Sequence, residues 1–166
     1  MSTNAQENFL EAIKKEGIVV THVADGEMPG IGYPYSYTTG LYAQYRRPEI
    51  IICGMSSQMT HQTLHAMHVH IRNGANWFET GKLYDTIFKE FQVTFIEVSE
   101  AGHAAHLHWA TWYYQTMQAM TELVPAIQMV WPATTTKAFP WQPGWPEELN
   151  AFQPLLGPPP ANLAKI

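Results

Sequence analysis

The chain has 166 residues, of which 46% are hydrophobic, 13% aromatic and only 14% charged, against a charged share of about 25% in ordinary soluble domains. So much apolar surface with so little charge excludes a disordered chain, and the length suits one compact domain rather than two. The formal charge is −5 with a pI of about 5.9, and the nine Lys and Arg residues are scattered, which excludes the basic stripe of a nucleic-acid-binding surface.

Residues 5–16 place Phe9, Ala12 and Ile13 at helical spacing, and Gly17 supplies a stop. Residues 18–23 are β-branched and read as a strand, followed by a Gly- and Pro-rich connection over 25–34. Aromatic and small polar residues alternate over 35–39, a strand that Gly40 interrupts. Glu49-Ile50-Ile51-Ile52-Cys53 reads as a buried strand. Ser56 or Ser57 caps a helix that runs through Arg72 and closes at Asn73-Gly74. Phe91, Val93 and Phe95 alternate with polar residues in a strand over 91–98. Over 104–124 a helical stripe of Ala105, Trp109, Trp112, Thr116, Met120 and Leu123 opposes a polar stripe that is almost uncharged. Pro125 ends that helix, 127–131 alternates as a last strand, and the remainder is rich in Pro and Trp. The expected fold is α+β: a mainly antiparallel mixed sheet of about five strands with three helices, mostly on one face. The expected organisation is one domain over residues 1–153 and a Pro-rich tail over 154–166.

The first residues lack a basic region followed by an apolar run, and no window nears the ~20 apolar residues of a membrane span. A cytoplasmic protein with no membrane partner is expected. The single cysteine, Cys53, allows no internal disulfide.

Several segments taken in order carry a resemblance: Tyr37-Thr38-Thr39-Gly40-Leu41, Pro48-Glu49-Ile50-Ile51 with Gly54, Gln128-Met129-Val130-Trp131-Pro132, Phe139-Pro140-Trp141-Gln142-Pro143-Gly144, and Gln153-Pro154. Together they resemble a bacterial family known as domain of unknown function 4262. The resemblance covers most of the chain and implies a small soluble bacterial domain, with no catalytic residue to carry over. The family typically has an Asp after Trp-Pro, where this chain has Ala133.

The densest candidate for recognition is the run of tyrosines with two arginines, since Tyr and Arg give rigid amphipathic contact area. Tyr35, Tyr37, Thr39, Tyr42, Arg46, Arg47 and Glu49, joined by Trp131 and Trp141, are the expected ligand- or partner-binding residues. His61, His65 and His68 recur at helical spacing, as metal ligands on one helix do, but no Asp or Glu accompanies them and no metal is favoured. His103, His106 and His108 form a second cluster in the segment poorest in charge, where they are the groups able to respond to pH. Cys53 ends an isoleucine strand before a helix, a place for a thiolate nucleophile and equally for a small core residue. No nucleophile elbow, phosphate loop or dinucleotide fingerprint is present.

The sequence therefore points to a binding protein with no cofactor and no assigned catalytic residue. Its expected partner is a protein or a small molecule, as for an immunity or neutralising protein. The alternatives are an enzyme, either a metal-assisted hydrolase using the histidine clusters or a flavin-binding protein, and a homo-oligomer formed through residues 104–124.

Overall fold

The computed structural model describes residues 2–74 and 78–161; residues 162–166 of the expected tail lie outside them. Five strands form one sheet in the order β1-β2-β3-β5-β4. Strand β1 (Val19–Val23) pairs antiparallel with β2 (Tyr35–Thr39), and β2 pairs antiparallel with β3 (Glu49–Cys53). Strand β3 runs parallel to β5 (Ala126–Val130), and β4 (Thr94–Glu97) closes the far edge antiparallel to β5.

The expected mixed α+β sheet is present, but among the described residues the α-helices number five and cover both faces. Alternation along β3 sends Ile50 and Ile52 to one face, where they meet Leu64, Met67 and Ile71 of α3 (Ser57–Arg72). It sends Ile51 and Cys53 to the other face, under Phe9 and Ile13 of α1 (Thr3–Glu16), Ala110 of α5 (His108–Trp112) and Leu107 just before it. A strand covered on both sides reads as an unbroken apolar run, which is why three isoleucines stand in succession.

Local sequence fixes the two long helices. Ser2 and Ser56 accept N–H bonds at the starts of α1 and α3, and Gly17 ends α1 in the left-handed region at φ 86°. The short helix α2 (Leu41–Tyr45) has no cap of its own; the Glu49 carboxylate accepts the N–H groups of Gly40 and Tyr42 at 3.0 and 3.1 Å. The expected helix over 104–124 divides into α4 (Glu100–His106), α5 and a π-helical turn, Tyr113–Met117. Trp109, Trp112, Tyr113 and Tyr114 spread over about 200° of a helix at 100° per residue, too wide for one straight helix resting on a sheet.

Residues after β5 are held by two buried glutamines. Gln128 donates to the Pro154 carbonyl at 2.9 Å and accepts the Leu156 N–H at 2.8 Å. Gln153 bonds both the N–H and the carbonyl of Trp131. Gly54, at φ 81°, lets this segment approach: a Cβ there would stand 2.6 Å from the Phe152 carbonyl oxygen.

Candidate functional site

Four of the nine expected binding residues lie inside the fold. Tyr35, Tyr37, Thr39 and Glu49 are at most 1% exposed, because β2 and β3 are interior strands covered on both faces. The set is also divided along the sheet. Thr39, Glu49, Tyr42 and Arg46 gather at one end, whereas Tyr35, Cys53 and Trp131 lie at the other, about 13 Å away by the rise of β3. Tyr42 is half-buried, edge-on to Tyr114, with the Arg46 guanidinium 5.2 Å from its ring centre. Arg47 is half-buried beside it in sequence. Trp131 donates to the Cys53 carbonyl at 2.8 Å, and Trp141 stacks on Phe139 with ring centres 5.3 Å apart.

Glu49 accepts from Thr38 and Tyr114 hydroxyls as well as from the two N–H groups. Burial pushes its carboxyl up to about 7, and these donors limit the rise. Burial also pushes the Cys53 thiol far up, so it is a core side chain without thiolate character.

The two histidine clusters lie on opposite faces of the sheet and do not converge. In the first, the buried His68 turns to the Tyr45 hydroxyl at 2.9 Å, leaving His61 and His65 with ring centres 4.3 Å apart. The three-histidine ligand set of the alternative, metal-assisted reading is not assembled; among the described residues no three His, Cys, Asp or Glu side chains are placed to hold a metal ion. In the second, each imidazole is engaged by a backbone carbonyl: His103 by Val124, His106 by Gly102 and His108 by Ala105. Burial holds His103 and His106 below the usual histidine range.

His106 does more than cap. With Nδ1–H given to Gly102 at 2.8 Å, its Nε2 is the acceptor for the Tyr33 hydroxyl at 2.7 Å. The Tyr35 ring stands edge-on to the same imidazole at 4.8 Å. Burial raises the Tyr33 and Tyr35 hydroxyls to about 12, so both remain neutral donors. The Tyr37 hydroxyl accepts the Trp109 N–H at 3.0 Å. Tyr35, Tyr37, His106 and Trp109 border a cleft of about 320 Å³ together with Thr21, Glu27, Met28 and His108. A second hollow of about 340 Å³ opens on the other side of the 24–34 connection, against Ser36, Met55 and Ser57; His22, Val23, Glu27 and Tyr35 border both.

Sequence reasoning missed His22 as a site residue, and it grouped Tyr33 with the other tyrosines without its link to His106. Alternation along β1 would have put His22 on the face opposite Thr21, and the antiparallel register sets it beside Ser36. Nothing local joins Tyr33 to His106, which is 73 residues away.

A mixed sheet between two helical layers, with an aromatic cleft at its β1 edge, defines a small α+β domain; no described helix is long and apolar enough to cross a membrane. The chain belongs to the family described as Domain of unknown function (DUF4262), which matches residues 12–146. No curated protein and no solved structure matches it. The segments that carry the family resemblance have structural tasks here. Thr38, Gly40 and Glu49 meet in one buried network, while Gln128, Trp131 and Gln153 meet in the clamp over the sheet.

Proposed function

We propose that this protein binds a small, planar, polar molecule in the cleft between β1, the 24–34 connection and α5, and does so without turnover. The observation that carries this reading is the rigid aromatic floor: Tyr35 set against His106, whose ring is fixed from behind by Tyr33, and Tyr37 tied to the Trp109 backbone. Side chains held in this way lose little freedom when a ligand arrives. The volume lies near the lower bound of about 300 Å³ for small-molecule sites. Glu27 and His108, both exposed, supply polar contacts at the rim. The one cysteine is buried, and His106 and His108 are each held by a backbone carbonyl, which supports recognition over catalysis.

The test is a thermal-shift screen with small heteroaromatic metabolites, followed by titration of hits against the native protein, Glu27→Ala and His108→Ala. The expected result is a saturable ligand whose affinity falls at least several-fold in both variants. Absence of any saturable ligand, or affinity unchanged in both variants, overturns the reading.

A further inference from the structure

A chain of hydrogen bonds behind β1 sets the protonation of His22. The Thr60 hydroxyl has one hydrogen and directs it to the carbonyls of Ser56 and Ser57, both at 3.1 Å. The Ser36 hydroxyl, 2.8 Å from Thr60 Oγ1, must therefore donate to Thr60. With its own hydrogen spent, Ser36 receives the bond from His22, whose Nδ1 lies at 2.7 Å. His22 thus carries its proton on Nδ1 and presents a bare Nε2 lone pair outward.

That lone pair faces Nδ1 of His61 at 3.3 Å. The distance is long for a hydrogen bond, but two nitrogens each about 2.05 Å from a tetrahedral metal stand about 3.3 Å apart. His65, one turn along α3, has its ring centre 4.3 Å from that of His61 and is half-buried beside it. The arrangement has the form of a ligating histidine whose other ring nitrogen is held by an outer partner, here Ser36 backed by Thr60.

We propose that His22 Nε2 and His61 Nδ1 together bind one borderline divalent cation of the Zn²⁺, Ni²⁺ or Cu²⁺ class. Water fills the remaining positions. The site borders the second hollow, so an open coordination position faces space that a donor ligand can enter. This inference goes beyond the small-molecule reading and does not depend on it: Ser36 and α3 hold His22 and His61 on the α3 side of the sheet, and His22 meets the aromatic cleft only at its border.

The test is isothermal titration of the tag-free protein with Zn²⁺ and Ni²⁺, with Mg²⁺ as the oxygen-preferring control, and visible spectra of the Co²⁺ form. One Zn²⁺ per chain is expected, with no Mg²⁺ heat. His22→Ala and His61→Ala should each abolish binding, and because both residues are exposed their metal-free melting temperatures should match the native one. Ser36→Ala should lower Zn²⁺ affinity by about 10–100-fold and alter the Co²⁺ bands, as loss of an outer partner does. Absence of Zn²⁺ binding, binding that survives both histidine variants, or equal affinity for Mg²⁺ overturns the proposal.

Discussion

Gln153 holds the peptide of Trp131 from both sides, accepting its N–H at 2.9 Å and donating to its carbonyl at 2.8 Å. A side-chain amide thus replaces the strand that would otherwise continue the ladder past β5. Gln153 is fully buried, so truncation strands two backbone groups away from water. Gln153→Ala is expected to cost about 3 kcal/mol, from the penalty of leaving two buried polar groups unpaired. The measurement is the urea midpoint at unchanged slope. A loss below about 1 kcal/mol would mean that Trp131 finds other partners.

The boundaries of β3 and α3 are legible in the sequence because their determinants are local: an isoleucine run, and a serine cap followed by apolar residues at helical spacing. Helix α2 is not legible, since its cap is Glu49, nine residues from Gly40 and on another element. The Ile50-Ile51-Ile52 run does signal burial on both faces, and it should have outweighed the expectation of a one-sided sheet. The site is less legible than the fold. Tyrosine alternation reveals which rings share a face of β2 but not that both faces are covered. His22 and His61 are 39 residues apart and meet only through tertiary packing.

The buried Glu49 predicts a pH effect of definite sign. Its folded carboxyl titrates at about 7 instead of 4.5, so between these values the folded state holds more protons than the unfolded one. Its contribution is greatest below about 4.5 and is lost as pH rises through 7. Glu49→Gln does not titrate. The stability difference between variant and native protein should therefore shift toward the variant by about 3 kcal/mol from pH 4.5 to pH 8. A pH-independent difference would show that Glu49 titrates alike in both states.

Thr39 Oγ1 is buried without a hydrogen-bond partner among the described residues. Replacing a stranded hydroxyl by a methyl group of similar shape removes a desolvation cost, and valine suits a strand. Thr39→Val should stabilise the fold by about 1 kcal/mol in denaturant titration. Destabilisation would reveal that the hydroxyl has a partner in solution.

Cys53 should be silent toward thiol reagents in the folded protein, because the side chain is fully buried and burial disfavours its thiolate. One thiol per chain should react in denaturant. Rapid modification under native conditions would contradict this packing and reopen the sequence-level reading of Cys53 as a nucleophile.

The abundant histidines act against Glu49 in acid. His103 and His106 are held below their unfolded value of about 6.5 chiefly by burial, as are His22, His65 and His68. The unfolded chain therefore takes up protons below about pH 6.5 before the folded one does, and folded stability falls as pH falls. In the native protein Glu49 masks this loss, since its own contribution grows over much of the same window. Glu49→Gln removes the mask, so the variant should lose stability more steeply than the native protein between pH 7 and 5 and stay level above pH 7. Equilibrium unfolding of both at half-unit steps resolves the two slopes. Stability of the variant that is flat or rising toward pH 5 would mean that the buried imidazoles protonate as readily folded as unfolded.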